Sequence, residues 1–147
     1  MGAGDRVADE DILLRRFNPA ERSHYWFDQE GVGEKHFKSG GLSYKPDGFS
    51  VYQDSKLIVL AVERSVVLEN PGWKIAGTTA AHVRSLDRGG KKLLDAIENP
   101  IPVDDEGDPV RNLAHALIVL PEGTNGSQIS AWAKKLAKEL VELSLVR

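Results

Sequence analysis

The sequence predicts an α+β fold: a small mixed or antiparallel sheet with an amphipathic C-terminal helix packed on it. Three observations predict it. Near the C-terminus Ile129, Trp132, Ala133, Leu136, Ala137, Leu140 and Leu143 recur at helical spacing, and Lys134, Lys135, Lys138, Glu139 and Glu142 fill the outer positions. Residues 112–120 read NLAHALIVL, an apolar run of strand length that suits burial on both faces. Elsewhere, short apolar or β-branched pieces are separated by Gly and Pro, the pattern of short strands joined by turns.

Residues 1–10 are small and charged and are expected to fray, leaving one domain over residues 11–147. Residues 12–17, ILLRRF, read as a first strand that ends at Asn18, because Pro19 disfavours helix in the residue before it. Residues 21–38 hold Tyr25, Trp26, Phe27, Phe37 and two histidines, and are broken by Gly31 and Gly33. They read as an irregular segment or hairpin whose aromatics close one end of the core. Pro46, Asp47 and Gly48 have the chemistry of a tight turn with strand on either side, Phe49, Val51, Leu42 and Tyr44 being the alternating positions.

Asp54 and Ser55 suggest the cap of a helix over residues 56–69, with Asn70-Pro71-Gly72 as its stop. The β-branched Ile58, Val59, Val62, Val66 and Val67 argue for strand there instead, and periodicity does not decide. Residues 73–83 read as a strand, 91–97 as a short helical turn and 101–111 as a polar loop. Residues 112–120 form a central strand, and Ser127 caps the last helix.

The bulk numbers narrow the function classes. A chain of 147 residues with 41% hydrophobic and 28% charged residues can bury its own core. The absence of cysteine excludes disulfides, thiolate metal sites and a cysteine nucleophile. A net charge of −3 argues against a mainly electrostatic hold on nucleic acid. The longest apolar run is too short to cross a bilayer, and the first residues lack a basic start followed by an apolar core. A cytoplasmic protein with no membrane association is therefore expected.

Several chemical motifs are absent. The histidines at 24, 36, 82 and 115 include no His-Glu-x-x-His pair, and no His-x-Ser/Thr tripeptide of the two-histidine phosphoesterase kind occurs. There is no Gly-Lys-Ser/Thr phosphate loop, no Gly-x-Gly-x-x-Gly at Gly31 to Gly33, and no Gly-x-Ser-x-Gly elbow. The acidic residues Asp104, Asp105, Glu106 and Asp108 lack calcium-loop spacing and read as a solvated loop. Neither a metal nor a cofactor is expected.

Two features remain. His115 stands at the mouth of an apolar strand, where an imidazole can act as a general base near neutral pH. Its other reading is a structural histidine that ties a loop to the strand. Arg15 and Arg16, with Trp26 and Ser43 further along, could line one cleft, the arginines gripping a phosphate or carboxylate and the aromatic stacking on a ring. Their other reading is a surface ion pair beside core aromatics.

Leu13-Leu14-Arg15-Arg16, Phe37, Gly41-Leu42-Ser43, the strand at 73–83, Asn112-Leu113-Ala114-His115-Ala116 and a lysine-rich terminal helix follow one order. That order resembles a group of small uncharacterised bacterial proteins. These carry a near-N-terminal Arg-Arg, a Leu-Ser-Val step and a later Asn-Pro-Ala-His-Ala. Here Tyr44 replaces the valine and Leu113 the proline. The group has no established activity, so the resemblance singles out Arg15, Arg16 and His115 without assigning them a reaction. The order of a first-strand arginine, a strand-borne Ser43 and a later glutamate, Glu63 or Glu69, is also loosely similar to ADP-ribosyltransferase-like folds, which hold NAD with such residues.

The leading expectation is a small cytosolic accessory or interaction protein. It would bind a protein partner or small anionic ligand through Arg15, Arg16, the loop near Trp26 and the His115 mouth. The alternative is a nucleotide- or NAD-handling enzyme in which Arg15 holds phosphate, Ser43 orients substrate and His115 moves a proton. RNA binding through Lys134, Lys135 and Lys138 ranks third, because acids alternate with those lysines, and nucleic acid is not expected as a partner. The oligomeric state is left open.

Overall fold

The computed structural model describes residues 4–17, 25–27, 35–37, 44–45, 48–68, 72–101 and 109–145. The expected α+β architecture is present, and every strand pairing is antiparallel. In chain order the strands are β1 (Ile12–Phe17), β2 (Tyr25–Phe27), β3 (Lys35–Phe37), β4 (Tyr44–Lys45), β5 (Gly48–Gln53), β6 (Lys74–Thr79), β7 (Asp95–Glu98), β8 (His115–Val119) and β9 (Val141–Leu143). The helices are α1 (Asp54–Val59), α2 (Ala80–Ser85), α3 (Pro109–Leu113) and α4 (Gly126–Glu139), with a 3₁₀ turn at Arg64–Val67. The main sheet runs β7-β8-β5-β1-β6-β9, with β4 pairing β5, while β2 and β3 form a separate two-stranded ribbon.

Strand alternation gives the sheet two apolar faces. On the first, Leu13, Phe17, Phe49, Val51, Ala116 and Ile118 pack with Trp132, Ala133, Leu136 and Ala137 of α4 and with Ala80 and Val83 of α2. On the second, Leu14, Ile75 and Tyr52 meet Leu57 of α1, Val67 of the 3₁₀ turn and Ala114. The expected packing of α4 on the sheet is thus present. Residues 4–7 run along β7: Gly4 N–H donates to Glu98 O at 2.8 Å, Val7 N–H to Ala96 O at 3.0 Å, and Glu98 N–H to Asp5 O at 2.7 Å. Arg84 ties this segment down, reaching Asp9 at 2.6 Å and Asp95 at 2.7 Å.

Several expectations are corrected. The strand expected over residues 112–120 begins only at His115, and Pro109–Leu113 forms α3 where a loop and the start of that strand were expected. The helix predicted over residues 56–69 is only α1, and Asp54 does not cap it. Gln53 occupies the cap position without a side-chain bond to the helix backbone, and Asp54 lies buried against Arg64 at 3.0 Å. The helix stops at Ala61, whose φ of 57° is left-handed. Val62 N–H donates to Leu57 O at 3.1 Å and Ala61 N–H to Ile58 O at 3.0 Å, a Schellman closure with alanine where glycine is usual. Leu57 and Val62 both pack in the second core, which supplies the apolar contact that accompanies this motif.

The strand predicted over 73–83 ends at Thr79, whose hydroxyl accepts the His82 N–H at 3.2 Å and starts α2. The helical turn predicted at 91–97 is strand β7 instead. A tight reversal precedes it, where Gly89 and Gly90 at φ 61° and 80° let Arg88 and Lys91 pair. Finally, α4 is capped by Asn125 and not Ser127: Asn125 Oδ1 accepts the Gln128 N–H at 2.9 Å, and the Gln128 side chain returns the bond at 3.4 Å. Leu143 lies on β9, past the helix end. Among the described residues no helix is long and apolar enough to cross a membrane.

Candidate functional site

The neighbouring strands β8, β5 and β1 bring together residues far apart in sequence. The antiparallel register sets Tyr52 opposite both His115 and Leu14, and Ser50 opposite Leu117. Period-two alternation then puts Ser50, Tyr52, His115 and Arg16 on the second face of the sheet.

His115 is buried at 6% exposure. Its Nδ1 lies 2.7 Å from Asn99 O, which can only accept, so Nδ1 carries the proton. Nε2 then accepts from the Ser50 hydroxyl at 2.8 Å. Asn99 N–H donates back to His115 O at 3.0 Å, and the imidazole meets the Tyr52 ring edge-on at 5.6 Å. Burial lowers the His115 pKa below its ordinary 6.5; the charges of Arg16 and Arg15 push the same way, against the Asn99 carbonyl. His115 is therefore a neutral imidazole at neutral pH, with a defined tautomer.

Arg16 Nη1 donates to Val67 O at 3.0 Å and to Tyr52 Oη at 3.2 Å, and its guanidinium lies 5.6 Å from the Tyr52 ring centre. Arg15 Nη1 donates to Ser50 O at 2.9 Å. The β1–β5 ladder holds the pairs Leu13–Gln53 and Leu14–Tyr52, whereas β1 and β6 pair along six positions. Where the β1–β5 pairing gives out, the Arg15 guanidinium takes up a β5 carbonyl. Burial lowers the Arg15 pKa, and so does the neighbouring positive charge of Arg16, while Tyr52 opposes. The guanidinium stays charged.

A second polar cluster lies under the N-terminal segment. Asp11 accepts from Ser55 Oγ at 2.6 Å, Ser55 N–H at 3.0 Å and Gln53 Nε2 at 3.1 Å. Lys56 pairs with buried Glu98 at 3.0 Å. Gln53 Oε1 is buried with no hydrogen-bond partner among the described residues. The three bonds on Asp11 and the lysine on Glu98 leave these carboxylates already compensated. Among the described residues there is no group of three histidine or acidic side chains placed to hold a metal.

Of the residues singled out in the sequence, His115, Arg15 and Arg16 converge on one three-strand seam. Trp26 lies on β2 in the separate ribbon, paired with His36. Ser43 lies outside the described residues, as do Asp104, Asp105, Glu106 and Asp108. Sequence reasoning missed Ser50, Tyr52 and Asn99. The alternation in FSVYQ, with Phe49 and Val51 facing one way and Ser50 and Tyr52 the other, carried the signal for the first two. Asn99 acts through its main chain and left no signal. Family models, curated proteins and solved structures offer no match to this chain.

Proposed function

We propose that this is a small accessory protein that binds an anionic group, a carboxylate or phosphate on a small molecule or partner protein, at the β8-β5-β1 seam. The supporting observation is the placement of two guanidinium groups beside the buried Ser50–His115 pair: Arg16 Nη1 lies 3.2 Å from Tyr52 Oη and Arg15 Nη1 2.9 Å from Ser50 O. An anion there would accept charge-assisted hydrogen bonds from a guanidinium group. A cytoplasmic setting belongs to the same proposal.

The test is an NMR titration of His115 with inorganic phosphate, citrate and ADP-ribose. A bound anion raises the His115 pKa, and Arg16→Gln weakens that response. A His115 titration curve unmoved by every anion sinks the proposal.

The hydrogen bond from Ser50 to His115 favours a second reading, in which His115 activates Ser50 as a nucleophile for acyl or phosphoryl transfer. Under the nucleotide- or NAD-handling form of that reading, Ser50 stands where Ser43 was expected and Arg15 holds phosphate. Binding ranks first because Ser50 sits within a strand, opposite Leu117, and not on a turn that presents free backbone N–H groups to an oxyanion. Covalent labelling of Ser50 by a fluorophosphonate, lost in His115→Ala, would reverse that ranking.

A further inference from the structure

The outer face of α4 does not stand alone. Lys134, Lys135 and Lys138 line a groove of about 360 Å³ together with Ala131, Glu139 and Arg88, which comes from the glycine turn before β7. The groove therefore gathers four cations and one acid, on a chain whose net charge is −3. Glu139 is drawn sideways, its carboxylate 3.5 Å from His82 Nε2. Arg88 is held in place from two sides. Its guanidinium lies 5.8 Å from the ring centre of buried Trp132, and its backbone pairs with Lys91 across Gly89 and Gly90. Lys91 and Lys92 extend the same turn and are exposed.

We infer that this groove is a docking surface for the sugar–phosphate backbone of nucleic acid, distinct from the β-strand seam and independent of it. Charge complementarity selects a polyanion. The lining selects among polyanions: its only apolar residue is Ala131, and Trp132 is buried beneath it at 2% exposure. A peptide held by an apolar anchor or a strand edge finds neither here, which leaves acidic peptides as the competing polyanion, and base-specific recognition needs side chains that stack on or read bases. Lysines on a helix face, used as point charges, suit phosphates read without regard to sequence. The sequence alone ranked this surface last, because the lysines alternate with acids along the helix. Arg88, 46 positions before Lys134, joins them only in the folded chain.

The experiment measures fluorescence anisotropy of a labelled mixed-sequence DNA duplex against the full-length protein over a range of salt. Binding through four cations gives log K against log salt a slope of about −3.6. The double variant K134E/K138E reduces affinity at low salt at least tenfold and flattens the slope by about half. Lys74→Glu, an equal charge change per site on β6, leaves the slope unchanged. Scrambling the duplex sequence changes affinity less than twofold. Absence of binding at low salt overturns the inference, as does binding that K134E/K138E leaves intact. Displacement of the duplex by a large excess of short DNA but not by poly-glutamate is expected; equal displacement by poly-glutamate would reassign the groove to acidic proteins.

Discussion

The two faces of the main sheet share the same strands and differ in what covers them. The first is covered by α4, fourteen residues with a capping box, and by α2, over a large set of aliphatic and aromatic side chains among which Arg15 and Gln53 take alternate strand positions. The second is covered by α1 of six residues, a 3₁₀ turn and the short α3, and its apolar cluster shares the face with Arg16, Ser50 and His115. A long regular cover suits a face that only needs burial. Short irregular pieces leave room for polar groups, whose hydrogen bonds must be met individually. The His115, Ser50 and Arg16 side chains of the candidate site accordingly lie on the second face, while Arg15 alternates to the first.

The sharpest probe of this contrast is a matched pair of core truncations. Leu136 and Leu57 are both fully buried, one on each face. Leu136→Ala, under a rigid helix that cannot collapse into the cavity, is expected to cost about 4 kcal/mol. Leu57→Ala, under short segments that can settle, is expected to cost about 2.5 kcal/mol, toward the low end of such changes. Urea unfolding of both variants measures the gap, and equal costs would show the second face to be as rigid as the first.

An intermediate effect belongs to His115. Its folded-state pKa lies below the ordinary 6.5, so near that pH the unfolded chain binds more protons than the folded one. Stability is full above 6.5 and falls as pH drops from there through the lowered folded-state value. His115→Gln should remove this component of acid sensitivity. It should also destabilise the protein at neutral pH by about 1–3 kcal/mol if the Ser50 hydroxyl and Asn99 carbonyl lose their partner. Unfolding curves at several pH values check both. An unchanged pH dependence in the variant would place the acid-labile group elsewhere, among buried carboxylates such as Asp11, Asp54 and Glu98.

The smallest effects concern the helix ends on the two faces. Asn125→Ala removes the α4 cap and should cost about 1 kcal/mol. Ala61→Gly, at the end of α1, should go the other way: it relieves a left-handed alanine and stabilises by about 0.5–1 kcal/mol, offset in part by the added freedom of the unfolded chain. Thermal denaturation of both variants tests the signs. Opposite signs would mark one helix end as optimised and the other as strained.

What was legible in the sequence followed periodicity. The apolar spacing from Ile129 to Leu140 identified α4, and the NLAHALIVL run identified β8 from His115 onward, its first two residues belonging to α3 instead. Around residues 54–67 the β-branched residues and the helical spacing contradicted each other, and the outcome turned on a left-handed Ala61 that no propensity favours. Gly77 shows the same limit. A Cβ there would stand 2.5 Å from the Leu13 carbonyl oxygen, a constraint set by a strand more than 60 residues earlier.

Chain chemistry alone was enough for the fold class, the C-terminal helix, the first and eighth strands, and the choice of Arg15, Arg16 and His115 as residues worth testing. Those depend on local pattern and residue type, which the sequence displays directly. Folding decided that Ser50 would be the partner of His115, that Asn99 would hold its tautomer through a main-chain carbonyl, and that Arg88 would join the lysines of α4. Each of those is a contact between distant positions, created by strand order and register, and no local pattern encodes which β-strand becomes the neighbour of which.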